Sequence, residues 1–329
     1  MKRLCGFGLA ILITVPSLSP QIAHLTSFKE RRRSAPPQNA LSLPIFYDQE
    51  LKAKGFPSPL TRVRIAGHEA LFIVDSGTGV NTLADWFAEQ AGIAIESTTS
   101  RAQGSTGKEN PIRVVNQIRG EWSDGRGFDL DQAIVVAFPA LFESLHLGGL
   151  LSPQILSPPG MAAVLDLKIP SLGFAPFAYT VSELKQTAFL AFPPVMTRAC
   201  SNPDSVFVNR LYLTPVSISG IRNLLLIDTG ATTTIFSEAS RIAQKLERRS
   251  EPGPQSEGVL GAMNATQQVS DIKLVRGTSI VGLSSLIGPV SQSCNGVGIL
   301  GMDALRECLL ILGQRSMAFA CDQVKRTGD

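Results

Sequence analysis

One stretch occurs twice in this sequence. Residues 71–83 read Leu-Phe-Ile-Val-Asp-Ser-Gly-Thr-Gly-Val-Asn-Thr-Leu, and residues 224–236 read Leu-Leu-Leu-Ile-Asp-Thr-Gly-Ala-Thr-Thr-Thr-Ile-Phe. Each has four apolar residues, then Asp, a small hydroxyl residue and Gly, then a short polar run closing on apolar residues. An apolar run of this length suits a buried strand. A carboxylate at its end is costly unless it is hydrogen-bonded or put to use. Two such carboxylates, Asp75 and Asp228, point to one shared site.

The repetition extends beyond the two stretches. A Gly-rich piece follows each Asp: Gly104-Ser105-Thr106-Gly107 begins 29 residues after Asp75, and Gly258-Val259-Leu260-Gly261 begins 30 after Asp228. A second landmark, Gly149-Leu150-Leu151 or Gly298-Ile299-Leu300, begins 74 and 70 residues after the respective Asp. Three landmarks in one order at matching spacing indicate an internal duplication, and a period near 150 means a repeated β domain rather than a solenoid. In the first copy, strands are predicted at Val63–Ile65, Leu71–Val74, Ile112–Ile118, Phe128–Phe138 and Ala163–Leu167, with a helix over Leu83–Gln90 stopped by Gly92. In the second they are predicted at Val206–Leu213, Val216–Ile218, Leu224–Ile227, Val269–Val275, Ile280–Ile287, Cys308–Leu312 and Met317–Ala320, with a helix over Ser237–Leu246 capped by Ser237. The class is all-β with a few short helices.

Length and charge set the frame. At 329 residues, 17% charged and 44% apolar, the chain can hold two packed domains and is not disordered. The net charge of +3 is concentrated: residues 1–33 hold six basic residues and one acid, so the rest carries −2. A nearly neutral body gives no footing for nucleic acid as a partner. Lys2 and Arg3 followed by the apolar Gly6–Val15 read as an export signal, too short for a comfortable membrane span. We therefore divide the chain into a signal at 1–23, a linker or pro-segment at 24–59, and an N-terminal lobe at 60–174. An inter-lobe connection at 175–205, a C-terminal lobe at 206–321 and a tail at 322–329 complete it. The cleavage site stays open between Ser19 and Ala23. Export puts the chain in the periplasm or outside the cell, with transient membrane association through the N-terminal segment and a tether if the signal is not cut. The basic run Lys29–Arg33 reads as solvated linker. Four cysteines remain after cleavage (Cys200, Cys294, Cys308 and Cys321), enough for two disulfides in any of three pairings. Their spacing does not suit a metal, the histidines are scattered, and no metal or other cofactor is expected. Asn264-Ala265-Thr266 is a formal glycosylation sequon.

The pair of aspartates carries a specific chemistry. One Asp-Ser/Thr-Gly reads as a turn after a strand. Two of them facing each other hold carboxylates too close for both to ionise, so the pair keeps one proton. The ionised member can take a proton from a water between them, while the protonated member hydrogen-bonds a substrate carbonyl. The water then attacks the carbonyl carbon with neither a metal nor a covalent intermediate. Gly77 and Gly230 let the chain turn the carboxyls inward. Ser76 and Thr229 supply hydroxyls that can reach across the axis and lock the turns. Thr78, standing where the second copy has Ala231, offers a further hydroxyl, which would make Asp75 the more readily ionised member.

Asp228-Thr229-Gly230-Ala231 with Gly298-Ile299-Leu300-Gly301-Met302-Asp303 resembles a retropepsin-type aspartic protease domain. Asp75-Ser76-Gly77 with Gly149-Leu150-Leu151 resembles a second, more diverged copy, as in single-chain two-lobed enzymes. The resemblance covers residues 60–174 and 206–321. It implies a closed β-barrel-like lobe per repeat, an extended-peptide cleft between the lobes, and a monomer with both catalytic aspartates in one chain. It further implies flaps at Gly104–Gly107 and Gly258–Gly261, and Leu-Leu or Ile-Leu packed beneath each turn. The first copy has Ser152 and Gln154 where the second has Gly301 and Asp303, so its support is expected to be looser. The implied activity is that of an exported endopeptidase acting on peptide or protein substrates. The alternative is a peptide-binding module on the same fold without turnover.

Overall fold

The computed structural model describes residues 42–103, 109–177, 195–196, 210–218, 220–246, 256–258, 261–263, 267–276, 279–290 and 298–321. The export signal, the basic run, Cys200, Cys294, the sequon and the tail lie outside these residues, as do Gly104–Gly107, Val259 and Leu260.

The chain begins with β1 (Ser42–Leu43) and a short helix α1 (Gln49–Ala53), whose first turn is capped by Asp48. The strands β2 (Leu60–Ile65), β3 (His68–Val74) and β4 (Thr82–Ala84) precede α2 (Asp85–Gln90), which ends at Gly92 with φ +61°. Then come β5 (Glu96–Gln103), β6 (Glu109–Trp122), β7 (Gly127–Val136), α3 (Ala140–Ser144), β8 (Leu147–Leu151), α4 (Pro153–Leu156), β9 (Met161–Asp166) and β10 (Ser171–Pro176). The second half gives β11 (Val195–Met196), β12 (Leu213–Ile218), β13 (Ile221–Ile227), β14 (Ile235–Ser237) and α5 (Arg241–Lys245). It continues through β15 (Ser256–Gly258), β16 (Gly261–Met263), β17 (Gln267–Arg276), β18 (Ser279–Gly288), β19 (Gly298–Leu300) and α6 (Met302–Leu305), and closes with β20 (Cys308–Leu312) and β21 (Ser316–Cys321).

Two barrels of one topology result. In the first, the order β2-β3-β8-β4-β7-β6 closes through the β2–β6 pairing, and β5 extends from β6. In the second, β12-β13-β19-β14-β18-β17 closes through β12–β17. A third sheet, β1-β10-β9-β20-β21-β11, joins the halves at its centre, where β9 pairs with β20 in register Leu310↔Leu165. The class is all-β with two closed barrels. The sequence-based lobe boundaries include the last strands of each copy, which leave the barrels to form this shared sheet.

The duplication begins earlier than the sequence landmarks indicate. Ser42 and Val195 open β1 and β11, Leu60 and Leu213 open β2 and β12, and each pair has the 153-residue separation that relates Ser76 to Thr229. Residues 42–59, expected as solvated linker, are packed: β1 pairs with β10, Leu43, Ile45 and Leu51 are buried, and Phe46 bridges to Leu60. The connection at 175–205 likewise contributes β11, which pairs with β21. Polar and proline-rich composition concealed both segments because each contributes only a two-residue strand.

The two apolar runs differ in burial. Leu71 to Val74 are buried on both faces. Phe72 and Val74 enter the main core, while Leu71 and Ile73 pack with Leu51 of α1 and Phe142 of α3. In β13 the pattern alternates, with Leu225 and Ile227 fully buried and Leu224 and Leu226 half-exposed. Two local expectations are corrected. Ser240, not Ser237, caps α5 by accepting from Ala243 N, because Ser237 is drawn into β14 beside β18. Arg210–Tyr212 are not strand, and Leu213–Ile218 run as one strand rather than two.

Candidate active site

Each aspartate stands where a strand leaves its barrel. Asp75 N donates to Leu151 O at 2.8 Å and Asp228 N to Leu300 O at 3.1 Å, so the Leu-Leu and Ile-Leu segments lie beneath the two turns. The turns meet face to face. A Cβ on Gly77 would stand 2.3 Å from Asp228 Cγ, and one on Gly230 would stand 2.7 Å from Asp75 Cγ. The glycines are required here by the approach of the opposite carboxyl, not by a left-handed backbone.

The predicted cross-axis lock is present. Ser76 N donates to Thr229 Oγ1 at 3.0 Å, and Thr229 N donates to Ser76 Oγ at 3.2 Å. Each hydroxyl passes its own proton onward: Ser76 Oγ to Ile227 O at 3.0 Å and Thr229 Oγ1 to Val74 O at 2.7 Å. Both side chains are fully buried. Four hydrogen bonds thus join the barrels immediately behind the carboxyls, where no water competes.

The carboxyls hydrogen-bond each other, and the pair is unequal. Asp75 is held well above the usual carboxylate range, by burial first, then by the charge of Asp228 and the hydrogen bond to it. Asp228 is also raised by burial, but the hydrogen bond from Asp75 and the amides of Ala231 and Gly230 pull it back. Its Oδ1 accepts from Gly230 N and Ala231 N, both at 2.9 Å; Asp75 Oδ1 accepts from Gly77 N at 2.7 Å, and the Gly230 amide also acts to lower Asp75. Both carboxyls are raised, and the pair shares a proton. The expectation built on Thr78 loses its ground, because that hydroxyl donates to Val80 O at 2.9 Å instead of serving Asp75.

Beneath the turns the support differs in kind. Under Asp228, the Asp303 carboxylate of α6 accepts from Thr234 N and from Thr234 Oγ1 at 2.8 Å, and that hydroxyl accepts from Gly301 N. Burial raises the Asp303 carboxyl and its bonds to Thr234 oppose the shift. Under Asp75, Gln154 Nε2 of α4 donates to the carbonyls of Ser76, Thr78 and Arg210, and Ser152 Oγ donates to Thr78 O. Asn81, standing where the second copy has Thr234, accepts from Ser152 N at 2.9 Å. The first copy, expected to be looser, is wired by different donors, with Ser152 and Gln154 both buried.

Of the flap candidates, only Gly258 and Gly261 lie among the described residues. Gln103 pairs with Glu109 at the end of the β5–β6 ladder, and Gly258 pairs with Gly261 between β15 and β16. Cys308 and Cys321 form a disulfide across β20 and β21, selecting among the pairings the sequence left open. A cavity of about 370 Å³ lies to one side, with Val80, Asn81, Trp122, Phe128 and Phe174 in its wall and neither aspartate. Among the described residues, no cluster of three His, Cys, Asp or Glu is placed to hold a metal. Sequence reasoning missed Ser58, which donates to Gly230 O at 3.2 Å, and Arg210, which donates through Nη1 to Gln154 O at 3.2 Å. Both precede their barrels, and the 153-residue register pairs them with Leu211 and Pro57, so the repeat gives no signal for either.

No protein-family model matches the chain, and no curated protein matches its sequence. Among solved structures it is similar to conglutin gamma, a basic 7S globulin from lupine seeds (10% identity, 87% of this chain and 95% of that chain, TM-score 0.45). It is similar also to basic 7S globulin from soybean (10% identity, 89% and 98%, TM-score 0.44). EIAV protease complexed with an inhibitor matches 32% of this chain and 90% of its own at 24% identity, with a TM-score of 0.25.

Proposed function

We propose that the chain is an exported aspartic-type endopeptidase in which Asp75 and Asp228 activate a water for attack on a peptide carbonyl. The observation that carries this reading is the hydrogen-bonded pair of carboxyls, Asp75 buried and Asp228 half-buried, behind which Ser76 and Thr229 exchange hydrogen bonds. Asp228, ionised, accepts the proton of the attacking water. Asp75, protonated, donates to the substrate carbonyl oxygen and stabilises the charge that develops on it. The tetrahedral diol collapses as its C–N bond breaks: Asp228 passes the water's proton to the leaving amine, and a diol hydroxyl returns its proton to Asp75. The hairpins β5–β6 and β15–β16 are the proposed flaps over an extended peptide.

Both aspartates lie in one chain, which favours a monomer. The cross-strand disulfide Cys308–Cys321 and the N-terminal basic and apolar segments favour export to the periplasm or the medium. The test is cleavage of a diverse peptide library by the mature chain across acidic to neutral pH. Cleavage that disappears in Asp75→Asn and in Asp228→Asn, with folding retained, is the expected result. Binding of extended peptides with no member of the library cut would place the chain among non-cleaving peptide-binding modules. Cleavage surviving in both variants would remove the two aspartates from the mechanism.

A further inference from the structure

We propose that Ser58 is a positioning residue that favours the ionised form of Asp228. The inference deepens the endopeptidase reading and rests on it for its catalytic meaning. Ser58 lies in the segment before β2, is buried, and belongs to the first copy, yet its hydroxyl donates to the Gly230 carbonyl of the second. That carbonyl and the Ala231 amide are the two ends of one peptide unit. The unit is trans, so its oxygen and its hydrogen point to opposite sides. On one side Ser58 donates to the oxygen at 3.2 Å; on the other, Ala231 N donates to Asp228 Oδ1 at 2.9 Å. The result is a continuous chain from hydroxyl to peptide to carboxylate. A donor on the oxygen polarises the peptide and strengthens its amide as a donor, by about 10–30% per added bond.

The first copy uses a different donor: Gln154 Nε2 donates to the Ser76 carbonyl at 3.2 Å, and the Gly77 amide at the other end of that peptide donates to Asp75 Oδ1 at 2.7 Å. The residue 153 positions after Ser58 is Leu211, whose side chain carries no donor, and among the described residues no bond joins Thr78 N to Asp75. Among the described residues, few charged groups face Asp228. Asp75 faces it directly, and no cation acts on either carboxyl among the described residues. Asp303, on α6 beneath the turn, directs its carboxyl to Thr234. Arg210 is engaged with Gln154 on the Asp75 side.

The proposal is tested on the full chain by following the side-chain carboxyl carbon of Asp228 by NMR. An Asp75→Asn background lets Asp228 titrate without its coupled partner. Ser58→Ala should move the Asp228 midpoint upward by roughly half a pH unit, a threefold change in the ionisation constant. Ser58→Thr, which retains the hydroxyl, should leave it in place. Should the alanine variant fail to fold, Ser58→Cys, similar in volume with a weak donor, should give an upward shift in the same direction. In chains retaining Asp75, the acid limb of kcat/KM should move by the same amount in the alanine variant and not in the threonine variant. A midpoint unmoved by loss of the hydroxyl, or moved equally by threonine, overturns the proposal. A midpoint that moves in a chain cleaving no peptide upholds the role of Ser58 and refutes the endopeptidase reading instead.

Discussion

Beneath Asp228 a carboxylate accepts hydrogen bonds; beneath Asp75 an amide donates them. Asp303 draws in the N–H and hydroxyl of Thr234, so the second turn is held through its donors. Gln154 reaches the carbonyls of Ser76, Thr78 and Arg210, so the first turn is held through its acceptors. The two turns nevertheless present their carboxyls in near-symmetric fashion. Duplication has preserved a backbone shape and the lock of Ser76 and Thr229, while the residues that satisfy the backbone below have diverged. A buried peptide group must be paired, but either kind of partner will serve if all the others in its layer change with it. The divergence also gives the aspartates unequal surroundings, and inequality suits a mechanism that needs one acid and one base.

The largest effect is expected where the copies are most alike. Asp228→Asn and Asp75→Asn should each lower kcat/KM by roughly 10²–10⁴-fold, since each removes one partner in proton transfer. Cleavage assays with circular dichroism as the folding control would measure this. A large loss in one variant only would mean that the copies contribute unequally to the chemistry itself.

Next come changes that exchange one copy's wiring for the other's. Gln154→Asp would turn a carboxylate toward three carbonyls and should destabilise the fold by about 3–5 kcal/mol at neutral pH, as an uncompensated buried charge does. Asp303→Asn keeps an acceptor for Thr234 and should cost about 1 kcal/mol. Urea unfolding of the two variants gives the ranking directly. Equal costs would mean that the supports are interchangeable and the comparison is empty.

Disruption of the cross-axis lock should be intermediate. Thr229→Val strands the buried Ser76 amide and the Val74 carbonyl, with an expected loss of about 1–3 kcal/mol. The loss is expected to exceed that of a hydroxyl deletion at Thr78, which lies outside the lock.

The smallest effect concerns pH and stability. Burial and the neighbouring charge raise the Asp75 carboxyl in the folded chain, so the fold binds a proton that the unfolded chain releases. Stability from that proton is fully present below the unfolded value of about 4 and is lost as pH rises through the folded value. Asp75→Asn removes the titration. Its melting temperature should therefore gain on the wild type as pH rises, by a few degrees at neutral pH, and the gain should vanish in acid. A pH-independent difference would mean that the raised Asp75 carboxyl does not set it.

Much of this arrangement was legible in the sequence because a repeat is read against itself. The apolar run ending in Asp, the hydroxyl at 76 and 229, and the spacing to Gly149 and Gly298 fixed the strands and the facing turns. What the sequence concealed was local satisfaction. Thr78 offered a hydroxyl beside Asp75, and only the fold shows it turned to Val80. Ser152 and Gln154 looked like weakened support because their hydrogen-bonding sense is reversed relative to Gly301 and Asp303. Ser58 lay in a stretch whose composition resembles a linker, and its partner is in the other copy, 172 residues away. Hydrophobic periodicity carries no record of such contacts.

The proposed chemistry requires Asp75 and Asp228 to be one coupled pair that shares a proton. Titrating both carboxyl carbons by NMR in the wild-type chain tests this most directly. Two separated steps are expected, the upper one above the ordinary carboxylate range and abolished by either Asp→Asn substitution. Two independent midpoints near pH 4, each unaffected by removal of the other carboxyl, would contradict it.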